Sequence, residues 1–102
     1  MDLAALTQQA KEIKALYAAR NEKQRSAAEY LQGFIGDVGN LSKLLMAHNG
    51  YRQIEGVDEK IKHELADCLW SVLILADELK IDLEGEFSKL VQDLKNKIPS
   101  QA

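Results

Sequence analysis

The chain has 102 residues, of which 46% are hydrophobic and 28% are charged, and its formal net charge is −3 at pH 7. This length accommodates one hydrophobic core, so we expect a single domain over residues 1–102. The apolar fraction is too high for a disordered chain, and charges interrupt it too often for a membrane span. The acidic balance, 13 Lys and Arg against 16 Asp and Glu, argues against binding to DNA or RNA.

The cysteine content indicates the compartment. Cys68 is the single cysteine of the sequence, which excludes an internal disulfide and a zinc site built from cysteines. No secretory signal pattern opens the sequence. A lone cysteine fits a reducing compartment, so we expect a cytoplasmic protein.

Hydrophobic periodicity predicts helices throughout, and no stretch alternates as a strand would. In the first helix, within residues 1–20, Asp2 is a candidate N-cap. Its apolar positions recur every three or four residues: Leu3, Leu6, Ala10, Ile13 and Leu16/Tyr17. The polar residues 21–25 interrupt this stripe.

The second helix has clear start and stop signals. Ser26 and Glu29 match a capping box, in which each side chain accepts a hydrogen bond from a free backbone N–H group. Asn49-Gly50 indicates the end of this helix. One face is predicted to carry Ala27, Leu31, Phe34, Val38, Leu41 and Leu45.

Two further helices follow. Asp58 is predicted to cap the third helix, whose middle, residues 68–76, is apolar on nearly every side and therefore needs a second subunit to cover it. Asp82 is predicted to cap the fourth helix, and Pro99 to end it before a tail at residues 99–102. Its predicted inward-facing residues are Phe87, Leu90, Val91, Leu94 and Ile98. The fold class is therefore all-α, a bundle of about four helices that forms an oligomer.

Four polar residues stand beside apolar helix positions. Glu64 and Asp67 are three residues apart on the third helix, and Asp37 and Asn40 have the same spacing on the second. Residues at i and i+3 share one side of a helix. If the two helices are antiparallel, the two pairs can face each other.

Facing carboxylates at a helix seam need a cation, because burying one without compensation costs several kcal/mol. Asp37 has no basic residue one helical turn away. Lys60 can form an i, i+4 ion pair with Glu64, but a lysine that precedes the glutamate gives the weaker orientation of this pair. All-oxygen ligands favour Mg²⁺ or Mn²⁺ over zinc. Alternatively, Lys43, Lys60 or an arginine from another helix could neutralise the acids.

A stripe of small residues near these acids allows two interpretations. Gly33, Gly36 and Gly39 suit tight helix packing, or the approach of a flat ligand.

These motifs have a family resemblance. Three segments carry it: Gly36-Asp37-Val38-Gly39-Asn40-Leu41, His63-Glu64-Leu65-Ala66-Asp67-Cys68-Leu69-Trp70, and Ile81-Asp82-Leu83-Glu84. Together they resemble the MazG-like family of all-α nucleoside triphosphate pyrophosphohydrolases. The resemblance covers about residues 26–98.

The family hallmark is E-x-x-E on one helix and E-x-x-D on the next. Glu64 and Asp67 match the second motif, and Asp37 matches the first glutamate of the first motif. The resemblance implies that these three carboxylates are catalytic metal ligands, with Asn40 as a fourth ligand. Asn40 stands where the family has a second acid, so one charge of the quartet is missing.

The resemblance also implies an activity. Family members are dimers or tetramers that use Mg²⁺ to cleave a nucleoside triphosphate into a monophosphate and pyrophosphate, and Lys60 and Lys89 match lysines near the phosphates. We therefore expect a (deoxy)nucleoside triphosphate substrate, a homodimer or homotetramer, and Mg²⁺ or Mn²⁺ as cofactor. Tyr30 and Trp70 could stack on the base of such a substrate, although packing roles are favoured. The alternative is a weakened or inactive member that acts as a nucleotide-binding or protein-interaction bundle.

Overall fold

The structure, a computed structural model, describes residues 2–20 and 25–98. These ranges contain four helices: α1 (Leu3–Ala19), α2 (Ala27–His48), α3 (Val57–Glu78) and α4 (Leu83–Lys97). They contain no strand, so the all-α prediction is confirmed for this part of the chain. The predicted stop at Pro99 and most of the polar stretch lie outside the described residues.

Local hydrogen bonds fix the starts of three helices where the sequence predicts them. Asp2 Oδ1 accepts a hydrogen bond from a backbone N–H three residues later at 2.9 Å. The Ser26 hydroxyl accepts from the Glu29 backbone at 3.2 Å, while Glu29 Oε1 accepts from the Ser26 backbone at 3.1 Å. Asp82 accepts in the same way at 3.2 Å. Side-chain caps of this kind stabilise a helix by about 1 kcal/mol each.

The start of α3 differs from its prediction, because Asp58 does not cap it. The cap residue is Gly56, which has a left-handed backbone with φ 67° and no side chain to accept a hydrogen bond. Glycine is favoured there because it adopts this conformation without a steric cost. Asp58 lies inside the first turn, where its charge suits the helix dipole, and its Oδ1 is 3.5 Å from His48 Nδ1.

The core lies where α1 and α2 pack against α3. Ala10, Tyr30, Leu73 and Ile74 form its buried cluster, and Ile74 is completely buried. Trp70 joins the three helices: its Nε1 donates to the Ala10 carbonyl oxygen at 3.2 Å, and its ring packs edge-on against Tyr30 with 6.0 Å between ring centres. The packing interpretation of both aromatic residues is therefore confirmed.

Helix α2 buries part of the predicted face together with neighbouring positions. Of the predicted residues, Leu31, Val38 and Leu45 are exposed, whereas the other three are partly buried: Ala27, Phe34 and Leu41. Tyr30 and Leu44, which lie beside that face, are buried. The sequence offers two adjoining apolar stripes on this helix, and periodicity alone does not rank them. Contact with α3 selects the stripe that contains Tyr30.

The predicted burial of α4 is wrong for the isolated chain. No residue of α4 is buried, although Leu83 at its start packs against the core. Four of the five predicted inward-facing residues are exposed: Phe87, Leu90, Leu94 and Ile98. The radius of gyration is 16.9 Å, compared with about 13 Å for a compact domain of 100 residues. The chain is therefore open around α4.

The glycine stripe of α2 does not pack tightly within the chain. A β-carbon added at Gly33, Gly36 or Gly39 would meet no atom within 4 Å. The close-packing interpretation of these glycines is therefore wrong for contacts inside one chain, because the glycines lie on the exposed side of α2. None of the described helices combines the length and hydropathy that a membrane span requires.

Candidate metal centre

Asp37 lies on the side of α2 that packs against α3. The partly or fully buried residues of α2 after its first turn include Tyr30, Phe34, Asp37, Leu41 and Leu44. Their spacing of three or four residues forms one helical stripe. Asp37 therefore interrupts an apolar surface, and its carboxylate is held near the neighbouring helix.

Glu64 and Asp67 meet Asp37 across the helix pair. Each of the three half-buried residues offers a carboxylate oxygen, and these oxygens lie within 4.8 Å of one another. We refer to Asp37, Glu64 and Asp67 as the acid cluster. The convergence of the three acids confirms the geometric premise that the two motifs face each other, although it does not assign their roles.

The acid cluster has no Lys or Arg within ion-pair distance among the described residues. Glu64 Oε2 is buried and has no hydrogen-bond partner. Asp67 Oδ2 is 3.2 Å from Nε2 of the exposed His63. The alternative in which a lysine or arginine clasps these acids is therefore not realised within the described part of the chain.

Cys68 reports on the local electrostatics. Its side chain is half-buried next to Asp67. Burial raises the pKa of the Cys68 thiol, and the negative charges of Asp37, Glu64 and Asp67 raise that pKa further. Cys68 is therefore a neutral thiol at pH 7, and the acid cluster creates a negative potential at this place.

The donor set fits a hard divalent cation. Three carboxylates close together repel one another unless a cation offsets their charge, and the buried, unpartnered Glu64 Oε2 is a free oxygen donor at this place. Mg²⁺ and Mn²⁺ prefer oxygen ligands of this kind. Asp37, Glu64 and Asp67 could hold such an ion, and water or substrate oxygens would complete its coordination.

Two open clefts adjoin the acid cluster. The first, of about 440 Å³, is lined by Asn40, Lys43, Lys60 and Glu64, among others; we call it the lysine cleft. The second cleft has a volume of about 680 Å³. Its lining combines aromatic, apolar and charged side chains and includes Tyr17, Tyr30, Trp70, Arg25, Asp37 and Asp67; we call it the aromatic cleft. His63 lines both clefts.

The remaining predicted site residues lie in different places. Asn40 and Lys60 line the lysine cleft beside Glu64. Lys89 lies on α4, and its Nζ is 3.2 Å from Glu86 Oε1. Within one chain, Lys89 lines neither of the two clefts, so its phosphate-binding role stays a prediction.

Sequence reasoning did not assign a binding role to Lys43, Arg25 or Tyr17. Lys43 follows Asn40 by three residues, so the i, i+3 rule that groups Asp37 with Asn40 could have extended to it. Arg25 precedes α2 and Tyr17 belongs to α1. No local pattern brings these two residues to one cleft, because their meeting depends on the packing of both α1 and α2 against α3.

A family model described as the MazG nucleotide pyrophosphohydrolase domain matches residues 25–101. The match spans well over half of the chain and contains α2, α3 and α4, with the acid cluster and Lys60. This protein therefore belongs to the MazG family of nucleotide pyrophosphohydrolases, as its motifs indicate. No curated protein and no solved structure gives a significant match to the chain.

Proposed function

We propose that this protein is a Mg²⁺-dependent pyrophosphohydrolase that cleaves a (deoxy)nucleoside triphosphate into a monophosphate and pyrophosphate. The observation that carries the proposal is the acid cluster, in which three half-buried carboxylates converge without a Lys or Arg partner among the described residues. Membership of the family supports the same reaction class. A cytoplasmic location, favoured by the single cysteine, is part of the proposal.

The residues of this chain would divide the work by charge. Asp37, Glu64 and Asp67 would hold the divalent ion, which supplies positive charge to the phosphates and lowers the pKa of a bound water molecule. Lys60 would bind phosphate oxygens as a point charge. Holding these groups in place before the reaction stabilises the charge that develops when water attacks and the bond between the α- and β-phosphates breaks.

The aromatic cleft would hold the nucleoside. Its lining includes Asp37 and Asp67 of the acid cluster together with Tyr17, Trp70 and Arg25. An aromatic and apolar lining suits the flat face of a base, and Arg25 could contact its polar edge. Trp70 already packs against Tyr30, so the cleft wall is rigid before substrate binds.

Exposed apolar side chains support a homodimer or homotetramer. Leu31, Ile35 and Val38 are exposed on α2, as are Leu90 and Leu94 on α4. Apolar surface of this extent on two helices is typical of subunit interfaces. Leu90→Glu should therefore lower the molar mass measured by light scattering, whereas the same change at exposed Ser88 should leave the mass unchanged.

Pyrophosphate release from a panel of nucleoside and deoxynucleoside triphosphates, with Mg²⁺ or Mn²⁺, tests the activity. We expect turnover on at least one nucleotide, and none after chelation of the metal. A folded wild-type protein that releases no pyrophosphate above background on the whole panel would reject the enzyme proposal.

Asn40 favours a second candidate, a family member that binds nucleotide without cleaving it. Its amide oxygen can coordinate a cation but carries no charge, which leaves three carboxylates near the site. This candidate predicts that nucleotide raises the melting temperature of the wild type without product. If the wild type is inactive, Asn40→Glu distinguishes the causes of that inactivity. Recovered turnover indicates a weakened metal site, while continued inactivity supports a binding function.

A further inference from the structure

We infer that the lysine cleft is an anion subsite for the terminal diphosphate of the substrate, in which Lys43 and Lys60 replace a second metal ion. The inference rests on the proposed function for the acid cluster and adds the substrate's orientation. It also predicts one divalent ion per chain.

The lining of the lysine cleft is asymmetric in charge. Lys43 and Lys60 take part in no ion pair within the described residues, so both ammonium groups are available. Of the acids that line the cleft, Glu59 is 2.9 Å from Lys62 Nζ, and Glu64 belongs to the acid cluster. Once a cation offsets Glu64, the cleft therefore presents two uncompensated positive charges.

A second divalent cation does not suit this cleft. Its protein ligands would be the neutral amide oxygen of Asn40 and the Glu64 carboxylate, which is already shared with the acid cluster. Two ammonium groups would stand in the same cleft and repel it. A diphosphate has the opposite preference, because its oxygens accept hydrogen bonds from ammonium groups and are attracted by their charge.

The arrangement of the clefts fixes the direction of the substrate. The acid cluster contributes to both clefts, because Asp37 and Asp67 line the aromatic cleft and Glu64 lines the lysine cleft. A nucleoside triphosphate that crosses the cluster with its base in the aromatic cleft directs its terminal phosphates to Lys43 and Lys60. Pyrophosphate would then leave from the lysine cleft, and the monophosphate from the aromatic cleft.

Titration with Mn²⁺ and inorganic pyrophosphate tests the inference on the folded oligomer without relying on turnover. Electron paramagnetic resonance counts bound Mn²⁺, and we expect one ion per chain for the wild type. Calorimetry at saturating Mn²⁺ then measures pyrophosphate binding. Lys43→Met should weaken it at least tenfold, Lys43→Arg should retain most of it, and Lys95→Met should match the wild type, because Lys95 is exposed on α4 and lines neither cleft.

The outcomes separate this inference from the proposed function. Two Mn²⁺ ions per chain, or equal pyrophosphate affinity for Lys43→Met and Lys95→Met, would overturn the anion subsite and leave the acid cluster as the metal site. Asp37→Asn tests the metal site separately, since it should abolish Mn²⁺ binding. Unchanged Mn²⁺ affinity in Asp37→Asn would instead contradict the proposed function, and with it the orientation that we infer.

Discussion

Helix α3 carries two pairs of acids that differ in what lies opposite them. Glu64 and Asp67 meet a third carboxylate from α2 and form the acid cluster. Asp77 and Glu78, near the end of the same helix, meet lysines of α1. Lys11 Nζ lies 3.7 Å from Asp77 Oδ1, and Glu78 forms an ion pair and a hydrogen bond with Lys14. We refer to Asp77 and Glu78 as the paired acids.

The two places contain the same residue types, and all four acids are half-buried. Their difference therefore comes from the neighbouring helix and not from α3 itself. Paired acids are neutralised within the chain and stabilise the packing of α1. The acid cluster has no Lys or Arg partner within the described residues, which makes it a candidate functional site.

The largest expected effect is on activity. Asp37→Asn removes one ligand charge from the acid cluster and should lower the rate of nucleotide hydrolysis by at least ~100-fold, because even residues around the ligands contribute 10–100-fold in metal sites. Asp77→Asn should leave the rate within a factor of about two. Equal rates for the two variants would remove the functional distinction between the two places.

The second largest effect is on the stabilisation by Mg²⁺, which should depend on the acid cluster and not on the paired acids. Mg²⁺ at 100 times its dissociation constant should stabilise the wild type by about 2.7 kcal/mol, since it binds the folded state. Glu64→Gln should lose this gain, and Glu78→Gln should retain it. Denaturant unfolding with and without Mg²⁺, at one protein concentration, measures both; a full gain in Glu64→Gln would contradict the assignment of its carboxylate.

Without metal, the same substitution should have opposite signs in the two places. Asp37→Asn removes repulsion between carboxylates and should increase the free energy of unfolding by about 1 kcal/mol. Glu78→Gln breaks an ion pair and should decrease it by about 1 kcal/mol or less. Unfolding in the presence of a chelator measures both changes. Destabilisation by Asp37→Asn would mean that the acid cluster has an internal cation.

The smallest effect concerns the pH dependence of the paired acids. The hydrogen bond to Glu78 raises the pKa of Lys14 above its usual value of 10.5, although burial opposes the shift. The stabilisation that the Lys14–Glu78 interaction gives to the folded state is therefore fully present below pH 10.5. It is lost as the pH rises through the raised pKa of Lys14 in the folded protein. Alkaline unfolding should show this loss in the wild type and not in Lys14→Met. Parallel pH profiles would contradict it.

Much of the candidate site could be predicted because its geometry is mostly local. The i, i+3 spacing of Glu64 and Asp67 places both on one side of α3 whatever the helix packs against. Asp37 required one more assumption, an antiparallel neighbour, and its convergence with the other two acids supports it. Lys43 was harder to assign, because a lysine on a helix surface is usually solvated, and its role depends on the cleft that α3 closes.

The sequence by itself determined the helices, three of their N-terminal caps, the acidic motifs and the family, because each depends on residues within a few positions of one another or on a motif. Tertiary structure decided which of two apolar stripes α2 buries, that Gly56 and not Asp58 begins α3, and that α4 leaves its apolar residues exposed. It also decided which acids receive lysine partners. These outcomes depend on contacts between distant segments, whose free energies outweigh the small differences among local alternatives.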